Sequence, residues 1–256
     1  MSEFKFIRFL EQYDVARLTL ARPPLNIMTR EMLGEINAAL DRAVKNPSLK
    51  VLVLTSEGRA FSAGVAVEDH MGGRLKPMLE AFHRIFRRLR ALECVTVAAV
   101  QGAALGGGAE LATFCDLVVA SDAATFGQPE VKVGVLPPIA AIHYPQRIGM
   151  AQTLRLLLSG DVVGATEAER IGLVDRVVTG DRLAETVDAE VERFRAQSAV
   201  VLRLGKRAVR EALGVGFDQA LSTLEALYQY ELMMTEDAAE GLRAFVEKRK
   251  PVWKDR

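Results

Sequence analysis

Two glutamates in this chain stand where a carboxylate could do acid/base work. Glu110 closes the run Ala104-Leu105-Gly106-Gly107-Gly108-Ala109-Glu110, and Glu130, twenty residues later, closes Phe126-Gly127-Gln128-Pro129-Glu130. Three consecutive glycines ahead of the apolar stretch Leu111-Ala112-Thr113-Phe114 expose backbone N–H groups where a ligand can touch them. A second glycine turn, Phe61-Ser62-Ala63-Gly64-Val65, could supply another amide. Two amides from two loops clamp one carbonyl oxygen from both sides, which suits the negative charge that builds on the oxygen of a thioester enolate. Water addition also needs one group to take a proton and one to give it. The two loops and two carboxylates are together the equipment of acyl-thioester chemistry.

Rival chemistries lack their parts. No Lys-Ser/Thr follows the glycines and no Gly-x-Gly-x-x-Gly spacing occurs, so a nucleotide phosphate loop is disfavoured. No Gly-x-Ser-x-Gly elbow occurs, which disfavours nucleophilic hydrolysis. The three histidines are scattered: His83 among Arg84, Arg87 and Arg88 reads as solvated, and His143 in the apolar stretch Leu136 to Ile142, read as a loop, either lines a pocket or caps a turn. No metal-ligand spacing is present and no metal is expected. Cys94 and Cys115 read as buried small hydrophobes. Taken singly, Glu130 reads as a solvated turn residue, whereas the apolar neighbours of Glu110 argue against its full exposure.

The chain has 256 residues, one large domain or a domain with an appendage, and 50% of them are hydrophobic. Lys+Arg and Asp+Glu number 33 each, so no net field favours nucleic acid or an anionic membrane surface. Met1 to Phe6 carries early charges in place of an apolar signal core, and no apolar run reaches the ~20 residues of a membrane span. A soluble, cytoplasmic protein is expected.

The elements that must position these groups are legible from periodicity. Residues 15–20 alternate with period two and predict a strand; Val51 to Thr55, Val95 to Val100 and Leu117 to Ala120 read as buried strands, the second running into the triple glycine. Met32, Leu33, Ile36, Leu40 and Val44 recur at helical spacing behind Thr29 as N-cap, and Met78 to Leu92 predicts another amphipathic helix. This alternation predicts an α/β domain. Beyond about Asp181 helical patterns take over, in Leu202 to Leu213, Phe217 to Tyr228 and Ala238 to Lys248. Such a tail packs on the core or on a neighbouring subunit. Its basic end, Glu247-Lys248-Arg249-Lys250, is either solvated or meets the phosphates of a nucleotide-bearing ligand.

As a set, these residues resemble the crotonase superfamily, the enoyl-CoA hydratase/isomerase family, over nearly the whole chain. The resemblance is carried by Arg22-Pro23 with Asn26, Phe61-Ser62-Ala63-Gly64, Ala104 to Glu110 with Cys115-Asp116, Phe126 to Glu130, Ala168-Glu169-Arg170-Ile171-Gly172-Leu173-Val174, and the ending Glu240-Gly241 with Ala244-Phe245-Val246-Glu247-Lys248-Arg249. It implies a crotonase-type spiral of ββα units with two near-perpendicular sheets over residues 1–195. A C-terminal helical trimerisation region, residues 196–256, would follow. It implies a homotrimer or a hexamer of paired trimers. It also implies an acyl-CoA thioester as substrate, with no cofactor beyond the coenzyme A that the substrate carries.

The resemblance further implies roles for particular residues. The oxyanion amides carry over onto Val65 and Gly107, and the hydratase acid/base pair onto Glu110 and Glu130. Coenzyme A would lie along Pro24, Leu25, Ala63, Gly64 and Ala66, and meet Phe245 and Lys248, often across a subunit boundary. Many relatives lack one or both glutamates, so their joint presence favours hydration. Two segments depart from an ordinary short-chain hydratase: Val65-Ala66-Val67-Glu68-Asp69-His70, and Leu136-Pro137-Pro138-Ile139-Ala140-Ala141 where glycines are usual. These, with Glu225-Ala226-Leu227-Tyr228, are similar to the branch that hydrates cyclohexa-1,5-diene-1-carbonyl-CoA to 6-hydroxycyclohex-1-ene-1-carbonyl-CoA in anaerobic aromatic degradation. Pro137, Pro138, Ile139 and His143 would then form an acyl pocket wall that suits an alicyclic ring. The alternatives are a general short-chain 2-enoyl-CoA hydratase and a catalytically silent CoA-binding member.

Overall fold

The segments Val51–Ser56 and Val95–Val100 are apolar along their length because both of their faces are covered. Val51, Val53, Val95, Val97 and Ala99 pack on one side with Leu183, Val187 and Val191. Leu52, Leu54, Ala98 and Val100 face the main core on the other. That split follows the period of two that a strand imposes on its side chains. The computed structural model describes residues 4–256, so the reading of Met1 to Glu3 lies outside the described residues.

In chain order, β1 (Ile7–Gln12), β2 (Val15–Leu20), β3 (Val51–Ser56), β5 (Val95–Val100), β7 (Leu117–Ser121) and β10 (Arg176–Val178) form a six-stranded sheet in that spatial order. The first pair is antiparallel and the rest are parallel. A smaller sheet holds β4 (Ala60–Ser62), β6 (Ala103–Leu105), β8 (Thr125–Gly127) and β9 (Val162–Gly164), again in that order. Thus β3 passes into β4, β5 into β6 and β7 into β8, and each step moves one place along both sheets. Helices α2 (Leu75–Ala91), α3 (Gly107–Thr113) and α4 (Pro138–Ser159) follow the three steps, after α1 (Arg30–Lys45). The chain is therefore a spiral of ββα units, as the resemblance implies.

The long elements lie where periodicity puts them. Thr29 caps α1, its hydroxyl accepting from the Met32 N–H at 3.5 Å. Three features differ. The strand β6 intervenes between β5 and the glycines. Helix α4 begins at Pro138, inside the stretch read as a loop; proline fits a first helical position because the N–H it lacks would have no partner there. His83 is part-buried beside Phe82 rather than solvated, and burial pushes its pKa down. Both cysteines are buried.

After the short α5 (Ala165–Arg170), helices α6 (Leu183–Arg195), α7 (Ala199–Ala212), α8 (Phe217–Tyr230) and α9 (Glu236–Val246) complete the chain. An ionic clamp fastens α7 to the large sheet: the Lys206 ammonium donates to the Cys94 carbonyl at 2.6 Å and to Asp116 at 2.5 Å. The same Asp116 oxygen accepts from the Thr96 N–H and hydroxyl at 2.7 and 2.8 Å. Among the described residues, no helix is long and apolar enough to cross a membrane.

Asn26 ties the loop after β2 to the turn before β4. It is fully buried, in the left-handed region at φ 49°, where asparagine is tolerated better than most residues. Its amide donates to the carbonyls of Glu57 at 2.7 Å and Ala60 at 2.9 Å, and its side-chain oxygen accepts from the Arg22 N–H at 2.9 Å. The Ser62 hydroxyl donates to its backbone carbonyl at 2.8 Å. Asn26→Ala strands these groups in a dry interior and is expected to cost about 2–4 kcal/mol. Denaturant unfolding checks this, and a loss below about 1 kcal/mol would show the hub to be dispensable.

Candidate active site

Three neighbouring strands of the small sheet run parallel and end together, and each hands the chain directly to a segment of the site. From β4 come Ala63, Gly64 and Val65; from β6, Gly106 and Gly107; from β8, Gln128, Pro129 and Glu130. Ligand sites of parallel sheets form at this carboxyl end because the loops converge there.

The triple glycine is the contact point. Gly106 has φ 51°, and a Cβ on it would lie 2.6 Å from a Glu130 carboxylate oxygen. A Cβ on Gly107 would lie 2.8 Å from the Phe82 ring and 3.0 Å from the Val65 side chain. One on Gly108 would strike the Ser62 carbonyl oxygen at 2.3 Å. Real Cβ atoms do not approach so closely, so a side chain at any of the three would push out Glu130, helix α2 or strand β4.

The same geometry leaves two amides facing the gap. Met28 donates to the Gly64 carbonyl at 2.9 Å and accepts from the Ala66 N–H at 3.0 Å, a parallel bridge centred on Val65. The Val65 N–H therefore points away from Met28. Gly107 is the first residue of α3 and has no intrahelical acceptor for its N–H. Gly64, at φ 99°, brings the segments together: a Cβ there would lie 3.7 Å from the Gly107 nitrogen. Two free N–H donors on adjoining segments are the kind of pair that can hold a developing oxyanion.

The glutamates flank this point in unequal surroundings. Glu110, in the first turn of α3, is 2% exposed. Burial pushes its pKa up to about 8, against the opposing pull of the Ala140 amide and with a further push from Glu130. The Ala140 N–H, at the start of α4, donates to it at 2.8 Å. Glu130 lies in a 3-10 turn, Pro129–Val133, part-buried rather than solvated, and burial raises its pKa too. The Gln128 amide lies 3.2 and 3.3 Å from its two oxygens and 2.8 Å from the Tyr144 hydroxyl. A carboxylate only accepts, so the amide NH2 faces Glu130 and the amide oxygen accepts from the Tyr144 O–H. Two carboxyl groups that release protons at different pH can divide acid and base work.

The remaining sequence-predicted residues fall into two groups. Pro24 and Leu25 lie beside the Ala63 to Ala66 segment, with the Ala63 N–H donating to the Leu25 carbonyl at 2.9 Å. Pro137 is buried, and Pro138 and Ile139 are part-buried at the start of α4. His143, one turn on, donates from Nε2 to the Thr113 carbonyl at 2.7 Å, which brackets α4 to the end of α3, and burial holds its pKa down. Phe245 and Lys248 are not drawn into this cluster; they lie exposed at the end of α9, Phe245 at 84%. Gln128, Tyr144 and the Ala140 amide join the site only through the fold. The one available signal was a glutamine two residues before Glu130, a spacing that shares a face in extended chain. Among the described residues, no group of His, Cys, Asp and Glu is placed to hold a metal ion.

Known proteins match this chain over nearly all of its length. Residues 11–256 match the enoyl-CoA hydratase/isomerase family. The cyclohexa-1,5-dienecarbonyl-CoA hydratase of Thauera aromatica is 39% identical over 95% of this chain and 94% of its own. The crotonyl-CoA hydratase of Syntrophomonas wolfei is 35% identical, covering 94% of each. The crystal structure of the enoyl-CoA hydratase subunit I of Geobacillus kaustophilus superposes with TM-score 0.92 at 38% identity, covering 100% of both chains. With the family matched over nearly all of its length and the fold reproduced, this chain belongs to the enoyl-CoA hydratase/isomerase, or crotonase, family.

Proposed function

We propose that the protein is an acyl-CoA hydratase acting on a conjugated cyclic dienoyl thioester, cyclohexa-1,5-diene-1-carbonyl-CoA, to give 6-hydroxycyclohex-1-ene-1-carbonyl-CoA. Enoyl-CoA hydration, a hydro-lyase activity, is the class its relatives support. The observation that carries the reading is the meeting of Glu130, Gly106, Gly107 and Val65 at one point, with the buried Glu110 in the next turn. The finer substrate rests on the proline-rich start of α4 and on the Thauera relative.

In this mechanism the Val65 and Gly107 amides hold the thioester oxygen as charge builds there. Water enters between Glu110 and Glu130; one carboxylate takes its proton as the hydroxyl bonds to carbon, and the other returns a proton to carbon. In a 1,4-addition the hydroxyl and the proton end on opposite ends of the diene, so the carboxylates serve carbons further apart than in a 1,2-addition. Pro137, Pro138 and Ile139 would form an apolar wall along the ring, with less backbone freedom than glycines allow. Coenzyme A would run along Pro24, Leu25 and the Ala63 to Ala66 segment. The exposed Phe245 and Lys248, and the exposed Phe217, Tyr230 and Met234, suit contact with a second subunit, in a trimer or a pair of trimers. Light scattering would then read a multiple of three chain masses; a monomer would refute the assembly.

Glu110→Gln and Glu130→Gln are each expected to lower kcat by about 10²- to 10⁴-fold while coenzyme A still binds. Full activity in both would exclude the mechanism. The same Glu110 substitution should stabilise the fold. In the folded state Glu110 keeps its proton to about pH 8, whereas in the unfolded chain it ionises near 4.5, its ordinary value. The native state thus binds more protons across that window, and its stability falls as pH rises through it. Glu110→Gln removes this loss, so its advantage over the wild type grows from pH 5 to pH 8 and reaches up to about 4 kcal/mol. Denaturant midpoints at the two pH values measure it, and an advantage that shrinks with pH would contradict the assigned burial. Turnover of crotonyl-CoA beside cyclohexa-1,5-diene-1-carbonyl-CoA decides the substrate. Preference for the cyclic diene is expected. Preference for crotonyl-CoA favours the linear 2-enoyl-CoA hydratase that the Syntrophomonas relative suggests, and binding without turnover of either favours a silent CoA-binding member.

A further inference from the structure

The geometry points to Tyr144 as a positioning residue: acting through the Gln128 amide, its hydroxyl fixes where the Glu130 carboxylate points and which proton state the glutamate pair rests in. This rests on the hydratase reading above.

Helix α4 holds both glutamates from one face. Ala140 and Tyr144 are four residues apart, one helical turn. Ala140 grips Glu110 directly through its N–H at 2.8 Å. Tyr144 reaches Glu130 through Gln128, its hydroxyl 2.8 Å from the amide oxygen and the amide nitrogen 3.2 and 3.3 Å from the carboxylate. Tyr144 is 1% exposed and Gln128 0%. A tyrosine this deep fills space no better than phenylalanine, and its hydroxyl is tolerated only with a partner. A buried glutamine can present either end of its amide to a neighbour. By donating to the amide oxygen, Tyr144 leaves the NH2 group for the carboxylate, and a hydrogen bond to the charged form favours that form.

Apart from the Glu130 backbone N–H, which also favours the ionised form, the other groups around the carboxylate do not supply this support. Glu110, from α3, repels a second negative charge. Lys132, on the same turn as Glu130, runs along Gly160, where a Cβ would meet its Cε at 3.0 Å. His143, on α4, is committed to the Thr113 carbonyl. The Tyr144 hydroxyl itself is held neutral, since burial and both glutamates push its pKa up. With the Gln128 amide turned toward it, Glu130 is the member of the pair that ionises first, and Glu110 keeps the shared proton.

The test uses Tyr144→Phe, Gln128→Met and the double variant, assayed on whichever enoyl-CoA the wild-type enzyme hydrates. Tyr144→Phe should lower kcat about tenfold with KM changed by less than about twofold, the loss of one hydrogen bond to a charged network. The acid limb of its kcat/KM–pH profile should move up by about one pH unit, because the unsupported carboxylate holds its proton longer. Gln128→Met, which keeps the volume and removes the amide, should move the limb the same way. Adding Tyr144→Phe to Gln128→Met should then change nothing further. A Tyr144→Phe limb that coincides with the wild type, even with a lowered melting temperature, would reduce Tyr144 to packing and overturn the inference. So would a limb shift that persists undiminished in the Gln128→Met background. A wild-type enzyme that hydrates no enoyl thioester would instead sink the hydratase reading.

Discussion

The site depends on three consecutive residues without side chains. Gly106, Gly107 and Gly108 let the Glu130 carboxylate, helix α2 and strand β4 close to distances at which a Cβ would fall 2.3 to 2.8 Å from its neighbours. That approach brings the Val65 segment against Gly107 and the Glu130 carboxylate against Gly106. Each glycine admits a different neighbour, so the three are not interchangeable with one flexible turn. At Gly106 and Gly107 the overlap falls on the Glu130 carboxylate and the Phe82 ring, whereas at Gly108 it falls on the Ser62 backbone at the edge of the small sheet, which only a backbone shift relieves.

A second constraint is electrostatic. Placing two carboxyl groups within each other's field in a dry pocket is unfavourable unless one of them is neutral. The fold arranges that asymmetry. Glu110 is enclosed by the apolar residues of α3, and the pull of the α4 amides is too small to offset its desolvation. Glu130 sits in a shorter, less enclosed turn beside the Gln128 amide. Helix α4 is central to both environments. Its first turn presents an amide to one glutamate, and its second carries the tyrosine that faces the glutamine beside the other. Pro138 at the first helical position makes this end of α4 a defined start.

The supporting parts lie outside the site. Asn26 fastens the loop that carries Pro24 and Leu25 to the turn that precedes β4, and so ties together the segments flanking Val65. The Lys206–Asp116 clamp fastens the C-terminal helices to strands β5 and β7, whose continuations are β6 and β8. Both devices use charged or amide groups whose partners are mostly backbone atoms. This holds position more tightly than apolar packing, because a displaced polar group loses its partner outright.

The sequence by itself determined the long elements and the family. Strands β2 and β5 and helix α1 follow from residue periodicity, which is a local property, and two glutamates beside glycine-rich turns were enough to name acid/base work at an oxyanion pocket. It did not reveal strands β4, β6, β8 and β9, because three residues carry no readable period and their stability comes from neighbours far along the chain. For the same reason Glu130 read as solvated, His83 as exposed and residues 136–143 as a loop. Burial is a property of what packs on a residue, and for Glu130 that means Gly106, Gln128 and Tyr144. Only the tertiary structure decided that the two glutamates lie within each other's field in unequal surroundings. A carboxylate's proton affinity depends on the water removed from it and the donors turned toward it, and both are supplied by segments that the sequence order keeps apart.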